Sequence, residues 1–141
     1  MAFPRTRLRH VSRAAVLVAM LALPAACAPP QLACPAGAGR PMLLAQLYFG
    51  RGAASDADWA RFVDRIVAPA LPDGFTVLDG DGAWLNPQTG MTGRERSSVL
   101  VVAIEDRPDR RAALERVRAA YRQDFHQQSV GLTIAPVCGD F

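Results

Sequence analysis

Lysine is absent from this 141-residue chain, and all 16 basic residues are Arg. Every strong cation is therefore a planar guanidinium fork, with no point-charge ammonium among them. Histidine is nearly as scarce, occurring only at His10 and His126. A zinc centre draws three or four ligands from His, Cys and carboxylate. One His in the body of the chain, with Cys27, Cys34 and Cys138 far apart, excludes an ordinary one. Long apolar runs are also missing. Ala14–Leu23 is apolar throughout but only about ten residues long, against the roughly 20 needed to cross a bilayer. No Gly-x-Ser-x-Gly elbow is present. Gly50-Arg51-Gly52 is only a fragment of a dinucleotide fingerprint. Asp79-Gly80-Asp81-Gly82 begins like a calcium loop, but its twelfth position, where a bidentate Glu is required, is Gly90. These absences leave no complete catalytic set, no metal site and no requirement for a cofactor.

The charge that is present lies at one end. The formal net charge of +3 comes from Arg5, Arg7, Arg9 and Arg13, and the rest of the chain is close to neutral. A near-neutral body argues against a nucleic-acid partner. The positive start, the short apolar stretch and the small residues after it read as an export signal over residues 1–26. Leu23-Pro24-Ala25-Ala26-Cys27 is close to a lipobox, with Pro24 where Leu is usual, so Cys27 is the expected lipidated residue. The expected location is the bacterial cell envelope, periplasmic or membrane-anchored, with lipid as the only membrane attachment. Residues 27–41, rich in Pro, Gly and Ala, read as a tether, and residues 42–141 as one domain.

Within that domain, Met42–Phe49 is a nearly unbroken apolar run of strand length, the pattern of a central strand. Ser55 and Asp58 form a capping box ahead of an amphipathic helix over 56–68, which Pro69 and Pro72 are expected to end. Phe75–Leu78 and Ala83–Leu85 read as strand, with Asp79–Gly82 between them as a bulge or turn. Asn86–Gly90 is a turn, and Arg94–Ile104 returns as a second central strand. Asp106–Asp109 is expected to cap a second helix, with Pro108 near its start. Its buried stripe is Ala113, Leu114, Val117, Ala120, Tyr121 and Phe125. Ser129–Val137 alternates as an edge strand.

The order β-α-β-β-α-β predicts an α+β ferredoxin-like sandwich. Its antiparallel sheet has spatial order 4-1-3-2, with both helices on one face. Strands one and three are central there, and they are the two apolar runs. The same order sets the end of strand four beside the start of strand one. Cys34 precedes strand one and Cys138 follows strand four, so with Cys27 lipidated these two are expected to form a disulfide. The face of strand one that carries Gln46 and Tyr48 has no helix over it and is half apolar. Such a face points to a ligand or a partner, including a homodimer through the open sheet, or else to the tether or the C-terminus folding over it.

Several stretches resemble a group of small exported bacterial proteins catalogued as domain of unknown function three-five-seven-four. They are Gln46–Arg51, Trp59, Phe62, Pro72–Asp79, Gly82, Trp84, Arg94-Glu95, Ser97, Tyr121, Phe125–Gln127 and Ser129-Val130. Gln128 stands where such proteins tend to have Glu, and Arg96 and Ser98 replace a Pro and a Lys. The resemblance implies export and this fold, and it implies no activity.

The candidate ligand-binding residues are Tyr48, Arg51, Trp84, Arg94 and His126. Arg51, Arg94 and Arg96 with Tyr48 suit a shared carboxylate or phosphate, although solvated surface Arg is the simpler reading. Asp79, Asp81 and Glu95 are near enough in a hairpin to form a carboxylate cluster, although turn chemistry accounts for them better. His126 is expected to cap the second helix at its C-terminus. The favoured function is a small binding or interaction module of the cell envelope. The alternatives are an enzyme using His126 with Tyr48 or Arg51, and a purely structural envelope lipoprotein.

Overall fold

The computed structural model describes residues 33–140. The export signal and Cys27 lie outside the described residues. Four strands, β1 (Arg40–Gly50), β2 (Thr76–Leu85), β3 (Thr92–Ile104) and β4 (Gly131–Gly139), alternate with two helical segments in the order β-α-β-β-α-β. The sheet runs β2-β3-β1-β4 and every pairing is antiparallel. This is the expected α+β topology, with the two apolar runs as its central strands. No helix among the described residues is long and apolar enough to cross a membrane.

Alternation on the central strands sorts the sheet into two faces. Leu43, Ala45, Leu47 and Phe49 of β1, with Ser98, Leu100, Val102 and Ile104 of β3, are buried under the helices. The second helix (Pro108–Asp124) covers them with Ala113, Leu114, Val117 and Tyr121. One end of this core is aromatic. Phe49, Trp59, Phe62, Tyr121 and Phe125 pack with ring centroids 4.5–6.2 Å apart, mostly edge to face.

The first helix begins at Asp56 with the expected capping box: Ser55 Oγ accepts from the Asp58 N–H at 3.2 Å, and Asp58 accepts from the Ser55 N–H at 3.1 Å. It continues past the expected stop. After Phe62 it widens into a π-helical stretch (Val63–Val67), then closes with one α turn (Ala68–Ala70) that contains Pro69. A proline inside an α-helix lacks a donor and crowds the carbonyl four residues back. In the wider π geometry Ala68 N–H bonds the Val63 carbonyl, so the turn ahead of Pro69 is loosened and the chain stays helical to Ala70. The second helix also departs from expectation. Its N-cap is Arg107, which makes no side-chain capping bond, while Asp106 instead holds Arg111 at 2.7 Å.

β2 corrects a larger expectation. Asp79-Gly80-Asp81-Gly82 is neither a bulge nor a turn, because pairing with β3 keeps one register from Thr76↔Val101 to Leu85↔Thr92. β2 is an edge strand with little over it, so its glycines cost propensity without leaving a core void. The turn at 86–90 is an Asx turn, in which Asn86 Oδ1 accepts from the Gln88 and Thr89 N–H groups at 2.9 and 3.2 Å. β4 carries Pro136 in mid-strand, which only an edge strand tolerates.

Cys34 and Cys138 are joined by a disulfide with Cα atoms 5.6 Å apart across 104 residues of sequence. Cys138 pairs with Pro41 where β4 ends beside the start of β1, as the strand order requires. By chain entropy a loop of this size contributes about 4–5 kcal/mol, usually less in practice.

Candidate functional site

The helix-free face is built from Leu44, Gln46 and Tyr48 of β1, Glu95, Ser97, Val99, Val101 and Ala103 of β3, and Leu78, Gly80, Gly82 and Trp84 of β2. The pairing register arranges part of this face in rows across the strands. Leu78, Val99, Tyr48 and Gly131 form one row. Gly80, Ser97 and Gly50 form the next, Gly82 and Glu95 the third, and Trp84 and Gly93 the fourth. The two inner rows carry small side chains except for Glu95, and the two outer rows carry the aromatics. At about 3.4 Å per residue, Val99 and Gly93 are about 20 Å apart along β3. The result is a trough with a glycine and serine floor. Residues 126–129, which follow the second helix, add a wall. The groove measures about 900 Å³ and is lined by Tyr48, Gly80, Gly82, Trp84, Glu95 and His126 among others.

Both groove aromatics are exposed, Tyr48 by 40% and Trp84 by 51%. Each lies over a glycine of the neighbouring strand. A Cβ at Gly93 would meet the Trp84 ring at 2.9 Å, and one at Gly131 would meet Tyr48 at 3.2 Å. Glycine there lets the rings lie low over the sheet. The Tyr48 hydroxyl donates to Gln46 Oε1 at 2.8 Å.

Glu95 is the half-buried carboxylate of the groove. Its Oε2 accepts from the Gly52 N–H at 2.8 Å, and its Oε1 would lie 2.4 Å from a Cβ at Gly50. Gly50 is therefore required for the close approach of this carboxylate to the β1 end. The Gln127 amide reaches the same place, 3.1 Å from a Cβ at Gly52.

His126 sits in the left-handed region at φ 53, the only described non-glycine residue with positive φ. It directly follows the helix cap Phe125, whose backbone N–H bonds the Tyr121 carbonyl. The expected capping by the imidazole is not made: the cap is a backbone bond, and His126 lines the groove instead. Left-handed backbone costs a β-carbon residue roughly 1 kcal/mol, and such strain collects at binding sites.

The other two candidates lie elsewhere. Arg51 is 2% exposed, so it is neither solvated nor in the groove. Its Nη2 donates to Asp56 Oδ1 at 2.7 Å, its Nη1 lies 3.9 Å from Asp79, and its guanidinium stands 5.7 Å from the Trp59 ring centre. Arg96 shares Asp56 at 2.8 Å. The hydrogen bond from Arg51, then that from Arg96, holds the Asp56 carboxyl below its usual range. The anion shared by these forks is therefore the protein's own Asp56. Register puts Arg94 and Arg96 on the helix-bearing side of β3 and Tyr48 on the other, so no common anion site with Tyr48 forms. Asp79 accepts from the buried Ser98 hydroxyl at 2.8 Å, and the alternative of a carboxylate cluster does not form, because Glu95 faces the opposite side from Asp79 and Asp81.

The structure thus gathers Tyr48, Trp84 and His126 and leaves out Arg51 and Arg94. Sequence reasoning missed Glu95, Gln127 and the floor glycines as groove residues. The signal for the floor was Gly80 and Gly82, two apart, which strand alternation sets on one face.

Solved structures share this fold. A phage SAM lyase in complex with S-methyl-5′-thioadenosine superposes with a TM-score of 0.56 at 14% identity, over 70% of this chain and 83% of that one. A phage SAM lyase in the apo state gives 0.53 at 18% identity, over 77% and 89%. No curated protein matches the chain. Residues 44–141 match the family described as Protein of unknown function (DUF3574), and the chain belongs to that family.

Proposed function

We propose that this protein is a small binding module of the bacterial cell envelope that takes a small molecule into the groove on its open sheet face. The observation that carries the reading is the pairing of two exposed aromatic rings, Tyr48 and Trp84, across a floor of glycine and serine. Apolar rings left in water beside a cavity of small-molecule size are the ordinary makings of a ligand site. The strained His126 on the wall supports the same reading. The Cys34–Cys138 disulfide supports export, since such bonds persist in oxidising compartments. Of the two enzyme pairings considered, only His126 with Tyr48 shares the groove.

The test is a screen of planar heteroaromatic compounds by saturation-transfer NMR. S-methyl-5′-thioadenosine belongs among them, because the phage SAM lyase of the same fold is described in complex with it. A Gly80→Leu variant is the control. Nothing lies within 4 Å of a Cβ there, so the side chain enters the groove floor and leaves the core untouched. Binding by the wild type that Gly80→Leu abolishes, at unchanged thermal stability, is the expected result. Binding that the variant retains would place the ligand elsewhere.

A further inference from the structure

We infer that the ligand of this groove is an organic cation with a planar ring; the inference rests on the groove being the binding site and adds its charge. All of the chain's strong cations are guanidinium groups, 16 in number, yet no Arg among the described residues lines the groove. Those nearest in sequence to its walls are turned away. Arg51 is buried against Asp56 on the helix side, Arg96 pairs with the same Asp56, and Arg94 shares their side of β3. The carboxylate on the groove's own face is Glu95. One of its oxygens takes the Gly52 N–H, and the other accepts no hydrogen bond from any described residue. A carboxylate oxygen that no described protein group satisfies, on the wall of a cavity, is a receptor for a positive group. Asp81 also borders the groove, although its side of the strand is the helix-bearing one.

Two further features have the same sign. Tyr48 and Trp84 present exposed ring faces, and Trp followed by Tyr gives the strongest attraction for a cation over an aromatic face. The second helix ends at Asp124, two residues before the wall formed by 126–129, and the C-terminal end of a helix dipole is negative. The same set repels phosphates and carboxylates, the ligand class that the Arg-rich composition alone would suggest. A planar body is required because the floor is flat and small while the rings stand at its ends.

The experiment compares three probes on one ring: N-methylquinolinium, quinoline and quinaldate. Each is titrated at neutral pH into the full protein and followed by amide and indole shifts of Trp84, Gly80 and Gly82. The cation is expected to bind about tenfold more tightly than the neutral ring, and the anion more weakly than either. In Glu95→Gln, whose amide oxygen can still accept from Gly52, the three affinities are expected to converge. Equal binding of all three probes in the wild-type groove, or an unchanged preference in Glu95→Gln, overturns the charge assignment and leaves the groove reading standing. Shifts confined to other surfaces, or none for any probe, overturn both.

Discussion

The two faces of the sheet have the same alternating backbone and spend their aromatics differently. On the helix-bearing face, Phe49 joins Trp59, Phe62, Tyr121 and Phe125 in one buried cluster. On the other face, Tyr48 and Trp84 are exposed and lie over glycines. Phe49 and Tyr48 are neighbours in sequence, so one peptide step separates a ring that stabilises the fold from a ring that faces solvent. Charged groups are also placed differently on the two faces. Beneath the helices Arg51 is paired with the protein's own Asp56, although its buried Nε has no hydrogen-bond partner among the described residues, whereas on the open side one oxygen of Glu95 accepts from no described residue. The helix-bearing face spends its rings on the core, and the open face leaves them beside a cavity where a ligand can reach them.

The sharpest way to break this comparison is to remove one ring from each face. Phe62→Ala removes a nearly buried ring from the cluster and is expected to cost about 3–5 kcal/mol. Trp84→Ala removes a half-exposed one and is expected to cost less than about 1 kcal/mol while abolishing binding in the groove. Urea unfolding of both variants checks the ratio, and similar costs would erase the distinction between the faces.

Tyr121 gives an intermediate effect. Its hydroxyl donates to the Gly50 carbonyl at 2.9 Å, and burial pushes its pKa up to about 12 from the ordinary phenol value of 10.0. The folded state therefore holds the phenol proton more tightly than the unfolded chain does. The stabilisation is complete below pH 10 and is lost as pH rises toward 12. Tyr121→Phe is expected to cost about 1 kcal/mol at neutral pH through the lost hydrogen bond, and to flatten the decline in melting temperature above pH 10. An undiminished alkaline decline in the variant would assign it to another group.

The smallest effect has the opposite sign. His126→Gly relieves left-handed strain at the position after a helix cap and is expected to stabilise the protein by about 0.5–1 kcal/mol. The same change removes a side chain from the groove wall, so affinity should fall as stability rises. A destabilised variant would show that His126 is held for packing.

The helix-bearing face was largely legible in the sequence. The runs Met42–Phe49 and Val99–Ile104 announced central strands, the stripe from Ala113 to Tyr121 announced the covering helix, and the resulting strand order located the Cys34–Cys138 bridge. Local rules failed where tertiary context overrode them. Asp79–Gly82 reads as a turn by composition, yet ten consecutive pairs with β3 hold it as strand. Pro69 reads as a stop, yet a π-helical stretch carries the helix past it. The groove was less legible because its parts come from four separate segments and its floor is defined by side chains that are absent. Arg51 was misplaced for a related reason: nothing local to Gly-Arg-Gly shows that Asp56 and Trp59 will enclose it.

The most direct test uses the two tryptophans as reporters of the two faces. Their indole N–H signals are assigned with Trp59→Phe and Trp84→Phe, and the wild type is titrated with the tightest planar compound from the binding screen. A saturable shift of the Trp84 indole with the Gly80 and Gly82 amides, and a stationary Trp59 indole, is the result expected if the open face is the binding face. A saturable shift centred on Trp59, with Trp84 unmoved, would contradict it.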